Sequence, residues 1–182
     1  GLKATTVFFL LGMVALLLAG TLKVAPLLDT YAQFTIPFQG FDQFQDFLYR
    51  LVPFDAAKGE EGVTAQGAIL ISFLGLIGLS AWRGLGRVDE GFSIWTYVSL
   101  SLIAMTLIIA AVRMEPIPAG LNIFLTGKMF GVILLMAVLG IMAKTFFEPY
   151  DIQQWLWETW RFVKLIFPLL VIGVFAVGII RQ

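Results

Sequence analysis

The stretch FSIWTYVSLSLIAMTLIIAAV (Phe92–Val112) runs without a charge until Arg113 stops it. A helix rises about 1.5 Å per residue, so about 20 mostly apolar residues cross a bilayer, and this stretch has that length. Four others resemble it. Residues 4–22 lie between Lys3 and Lys23, and residues 63–82 end at Arg83. Met129–Ala143 is short for a span, so the fourth is extended back to Leu121, over 121–143, which places Lys128 in its first turns. The fifth covers 160–180, with Arg161 and Lys164 at its entrance and Arg181 at its exit. The expected fold is an all-α integral membrane protein, a single membrane domain of about five transmembrane helices.

Composition agrees. The chain is 59% hydrophobic and 13% charged, with a mean hydropathy of +0.92. A soluble domain carries roughly 25% charged residues and could not hide this much apolar surface. The formal net charge is +0, which removes the electrostatic case for nucleic acid as a partner. With no cysteine and no histidine, disulfides, thiolate nucleophiles and Cys- or His-held zinc or haem are excluded. No nucleophile–base pair or metal cluster is visible, so neither an enzyme nor a resident cofactor or metal is expected. The chain begins at Gly1 rather than Met, which fits a processed protein or a piece of a longer one. Lys3 followed by an apolar run resembles a signal peptide, but the run is long enough to span and reads as a retained helix.

Five spans put the termini on opposite sides. Lys3, Arg83, Arg87, Lys144, Arg161 and Lys164 fall on the N-terminal side; Lys23, Arg50, Lys58, Arg113, Lys128 and Arg181 fall on the other. The counts tie. The two arginines of the short loop 83–91, set against the acidic first loop (Asp29, Asp42, Asp46, Asp55, Glu60, Glu61), favour a cytoplasmic N-terminus in a prokaryotic cell membrane.

Two connections carry a pattern. In the first, Phe41, Phe44, Phe47, Leu48, Leu51 and Val52 recur at helical spacing, which predicts an amphipathic helix over 41–52 lying in the membrane interface. A partner-docking helix is the other reading. In the second, Tyr150, Trp155, Trp157 and Trp160 form an aromatic belt before the fifth span.

An ionisable residue inside a span is costly and so suggests function. Only Lys128 and Lys164 qualify, and both can snorkel to the interface. Serines and threonines of the spans (Ser72, Ser80, Ser99, Ser101, Thr106) are expected to bond within and between helices. Gly127 and Gly131 form a GxxxG pair and Ala15 and Ala19 its alanine analogue, both packing features. Gly84–Leu85–Gly86 reads as a turn. Pro116 to Asn122 is either a tight connection or a re-entrant, transporter-like break near Glu115 and Asn122. Pro168 marks a kink beside Lys164.

Phe147–Glu148–Pro149–Tyr150–Asp151–Ile152, then Trp155-Leu-Trp157-Glu-Thr-Trp160-Arg-Phe-Val-Lys164, then Ile166 to Phe175, resembles a stretch of the ArsP-like predicted permeases. The resemblance is confined mainly to 147–175. It implies the middle of a permease, with Glu158, Lys164 and Pro168 as the residues carried over and Glu158 paired with Lys164. Family members that move arsenicals use cysteines, and this sequence has none. Two functions from different classes follow. One is a permease, or a subunit or fragment of one, that moves a small solute, with the bilayer and other membrane helices as partners. The other is a non-catalytic membrane subunit of an electron-transfer or light-harvesting complex.

Overall fold

The computed structural model describes residues 3–52, 57 and 62–180. Asp55, Lys58, Glu60, Glu61 and Arg181, which entered the charge count, lie outside the described residues, as does Gly1. The chain is an integral membrane protein, mostly helical. Its elements are α1 (Ala4–Thr21), α2 (Ala25–Leu28), β1 (Thr30–Ile36), α3 (Phe41–Leu51), α4 (Ala65–Gly84), a 3-10 helix (Leu85–Glu90), α5 (Ile94–Ala111), β2 (Arg113–Ile117), β3 (Gly120–Thr126), α6 (Gly127–Phe146) and α7 (Pro149–Ile180). Among the described residues, α1, α4 with the 3-10 turn, α5 and α6 are long and apolar enough to cross a membrane. The fifth expected span falls in the second part of α7, which stays helical to Ile180. These helices turn large side chains outward, Leu17 at 66%, Leu79 at 68% and Leu134 at 65% exposure, as a chain solvated by lipid can and one in water rarely does.

The chain forms two compact units. One comprises the chain up to Leu76 and Leu102–Phe146; the other comprises Ile77–Ser101 and the chain from Phe147.

In the first unit, α1 and α6 run antiparallel. Gly12 faces Leu139, Ala19 lies near Gly131, and the C-terminal turn of α1 meets the N-terminal turn of α6. Lipid is as apolar as leucine, so burial alone gives these helices little reason to associate. Small residues that admit close contact supply it instead. Gly12 does this for α1 against Leu139 of α6, while Gly127 of the GxxxG pair admits α2: a Cβ on Gly127 would collide with the backbone of Pro26 and Leu27, and one on Gly131 would just touch Leu27 and Ala19.

The largest departure from the expected fold is a three-stranded antiparallel sheet in the order β1-β3-β2. The expected fourth span, 121–143, is corrected accordingly: Leu121–Thr126 is β3, and the helix begins only at Gly127. Pro116 and Pro118 lack the N–H groups that a helix would need, and the segment Leu-Asn-Ile-Phe-Leu-Thr alternates in the period of a strand. The Pro116–Asn122 stretch is therefore a tight β-hairpin, with Ile117 opposite Gly120, and not a broken helix. Leu121 and Ile123 face the core formed by Leu16, Ala111, Val112 and Met129. The opposite face carries Arg113, Glu115, Asn122 and Thr35.

The amphipathic helix α3 is present, but its apolar residues divide. Phe41 packs on the core, while Phe44, Phe47 and Leu51 remain exposed as a stripe at i, i+3, i+7. Gln45, on its buried side, accepts the Ala65 N–H at 2.7 Å and donates to the Val63 carbonyl at 3.0 Å, which satisfies the start of α4. Thr64 caps the same end by accepting the Gly67 N–H at 3.0 Å. Gln66 then reaches the end of α5, donating to the carbonyls of Ile109 (2.9 Å) and Val112 (2.7 Å) and accepting the Met114 N–H at 3.3 Å. Thr126 donates to the Ala111 carbonyl at 2.8 Å.

The close approach at Gly127 makes a comparison of two glycines informative. Gly127→Ala forces backbone apart and is expected to cost about 1–3 kcal/mol, seen as a lower thermal midpoint by circular dichroism in detergent. Gly140→Ala, where nothing lies within 4 Å of the added carbon, is expected to leave the midpoint unchanged or slightly raised.

Candidate functional site

The six residues singled out from sequence do not gather at one place. Glu115, on β2, forms an exposed ion pair with Arg113 at 3.1 Å, an arrangement of little energetic weight. Asn122, opposite Glu115 in register, accepts a hydrogen bond from the Thr35 hydroxyl at 3.3 Å across the strands. Lys128, in the first turn of α6, donates to the Gly20 carbonyl at 3.4 Å and so caps the negative end of α1. These three belong to the first unit.

The other three lie on α7, in the second unit. Glu158 pairs with Arg161 at 3.3 Å, not with Lys164. The reason is helical geometry: both Arg161 and the Trp157 and Trp160 rings are nearer competitors for the two side chains. Pro168 sits inside α7 and leaves the Lys164 carbonyl without its i+4 N–H partner. The Lys164 ammonium lies over Trp157 and Trp160, 5.6 and 5.9 Å from the ring centroids.

Lys164 also lines an open pocket of about 810 Å³ with Trp82, Arg83, Gly86, Arg87, Trp95 and Trp160. The pocket begins with the α4–α5 hairpin. The Ser99 hydroxyl lies 3.1 Å from that of Ser80 and 2.8 Å from the Trp95 carbonyl, its single proton shared between them, and the Thr96 hydroxyl donates to the Gly84 carbonyl at 3.0 Å. Thr96 and Ser99 are fully buried, so each hydroxyl is used as an internal tie, as expected for serines and threonines of spans. A Cβ on Gly84 would run into the backbone of Trp95 and Thr96, so only glycine lets the two helices meet this closely. The chain next tightens into the 3-10 helix, whose Val88 is 0% exposed and whose Gly86 passes the Trp160 indole nitrogen. Arg87 departs from helical dihedrals (φ −133°, ψ 21°), which ends the regular turn beside the pocket.

The resulting electrostatics are one-signed. Three cations line the pocket and no carboxylate does. Arg83 lies over the Trp95 ring, 5.1 Å from its centroid. Among the described residues, no carboxylate is within ion-pair distance of Arg83, Arg87 or Lys164. Tryptophan faces take the place that acidic side chains would usually fill, each contact worth about 0.5–2 kcal/mol. A ring holds a cation without cancelling its charge. The arrangement can attract and bind an anion beside flat apolar walls.

Of the lining residues, sequence reasoning found Lys164 and the α7 tryptophans but read the latter as anchors. Trp82 and Arg83 marked the end of a span, Arg83 and Arg87 entered the orientation count, and Trp95 fell unremarked inside the third span. The available signal was spacing: Arg83 and Arg87, like Trp160 and Lys164, stand four residues apart on one helical face.

No family model matches the chain, and no solved structure matches it. Among curated proteins, the UPF0718 protein MJ0584 of Methanocaldococcus jannaschii is 32% identical over 89 residues, covering 47% of this chain and 24% of that protein. The match thus takes in about a quarter of that relative, a distant and partial homologue whose name states no activity.

All five tryptophans of the sequence belong to the second unit, so their fluorescence reports on it. Iodide is expected to quench this emission at least about twofold more efficiently than caesium, because the cations concentrate an anion beside the rings. An Arg83→Gln/Arg87→Gln variant should bring the two quenching constants together, as measured by Stern–Volmer titration.

Proposed function

We propose that the chain forms part of a membrane permease that moves a small solute, with the cation-lined pocket of the second unit as its solute site. The observation that carries this reading is the pocket itself, in which, among the described residues, Arg83, Arg87 and Lys164 stand without carboxylate partners. The spans are otherwise nearly free of ionisable groups; a cation at the end of a span ordinarily snorkels singly to the interface, whereas here three converge on one cavity. The resemblance of 147–175 to ArsP-like permeases supports the same reading, since Lys164 and the tryptophans beside it lie within that pattern.

In this reading the N-terminus is cytoplasmic. Two spans, α1 and α4, then return the chain to that side at Arg83 and Arg87, so the pocket opens toward the cytoplasm. The exposed stripe of α3 lies in a membrane interface. Other membrane helices, from the same or another chain, complete the path.

Flux in proteoliposomes tests the proposal. Lys164→Gln is expected to reduce uptake of a transported solute by at least about tenfold, while Lys128→Gln, which removes only a helix cap, changes it less than about twofold. Equal effects of the two substitutions would sink the reading, as would isolation of the chain in a coloured multi-subunit particle whose proteoliposomes carry no flux.

A further inference from the structure

We infer that the pocket takes an organic oxyanion, a phosphate-type head joined to an apolar or planar body. This inference names the ligand class for the site on which the permease reading rests. The head follows from the donors. Arg83 and Arg87 are four residues apart and line the same cavity, and each guanidinium presents N–H groups in a planar fork suited to two oxygens of one anion. A guanidinium held over the Trp95 ring is steadied through its face, so its in-plane donors stay available. Lys164, fixed by its rings on α7, adds a third charge from the other wall.

The body follows from size and lining. A cavity of about 810 Å³ falls in the range of sites for drug-sized ligands, roughly 300–1,000 Å³. An inorganic anion, the size of a few waters at about 30 Å³ each, would leave most of it wet. Trp82, Trp95 and Trp160 wall the remaining space with flat, amphipathic surface, which an attached ring or chain can cover. The same chemistry is offered by a soluble phosphonate or phosphate ester and by the headgroup of an anionic phospholipid.

Binding separates the cases. Purified protein in detergent is titrated with phenylphosphonate and with inorganic phosphate by tryptophan fluorescence and calorimetry. In parallel, protein in nanodiscs of phosphatidylcholine with or without phosphatidic acid is examined by native mass spectrometry. The inference expects phenylphosphonate to bind at least about tenfold more tightly than inorganic phosphate, with affinity falling as salt rises. Arg83→Gln/Arg87→Gln should lose at least about tenfold of that affinity, and Gly86→Leu, which fills the cavity without altering charge, should lose it as well. Lys164→Arg, which keeps the charge, should retain binding and guards against a variant that merely misfolds. Retained phosphatidic acid that depends on the same arginines also supports the inference and assigns the anion to lipid. Saturable binding of neither probe overturns it, as does binding indifferent to the arginine or Gly86 substitutions. Binding without flux sinks the permease reading alone; Lys164-dependent flux of another solute, with neither oxyanion probe bound, sinks this inference alone.

Discussion

A helix that ends near a bilayer leaves four carbonyls or four N–H groups without partners, in a setting where water is scarce and each bare group is costly. In the first unit this requirement decides what lies next to what. The end of α5 is satisfied by Gln66 of α4 and Thr126 of β3. The start of α4 is satisfied by Gln45 of α3. The end of α1 receives the ammonium of Lys128 from α6. Each side chain that finishes one helix is anchored in another element, so the sheet, α3 and the helices specify one another's positions. Removing one such amide would leave a bare helix end and also loosen the neighbour.

The second unit handles polar groups differently. Its hydroxyls are turned inward as ties between α4 and α5, and two of the pocket's cations, Arg83 and Lys164, are held by rings. An ion pair would place the charges as firmly, but it would spend their field on the partner. Tryptophan positions a cation and leaves its field intact, at the cost of exposing a large apolar ring. In an aqueous protein that exposure would invite aggregation; beside lipid headgroups it is an ordinary place for indole.

Much of this architecture was legible in the sequence because bilayer thickness acts directly on it. The spans at 4–22, 63–82 and 92–112 needed only length and apolarity, and the observed helices differ from them by a residue or two. The amphipathic period of α3 and the close packing at Gly127 and Gly131 were equally local. The sheet was not, because β1 pairs with a strand some ninety residues away and its own residues, Thr30 to Ile36, have no partner in sequence. Extending an apolar run back to Leu121 to reach spanning length overrode the strand period of 121–126. In the candidate site, Lys164 stood out because a charge inside a span is rare. Arg83, Arg87 and Trp95 did not, because their shared cavity arises only when the 3-10 helix packs on α7.

The Lys128–Gly20 contact has a consequence for biogenesis. The partners are separated by 108 positions, and β1 must wait comparably long for β3. At roughly 5–20 residues per second, α1 resides in the membrane for about 5–20 s before α6 is synthesised. Through that interval its last carbonyls have only Thr21, Leu22 and lipid headgroups for company, and β1 offers two open edges. The first helix is thus made early and completed late, because its capping ammonium arrives only with α6.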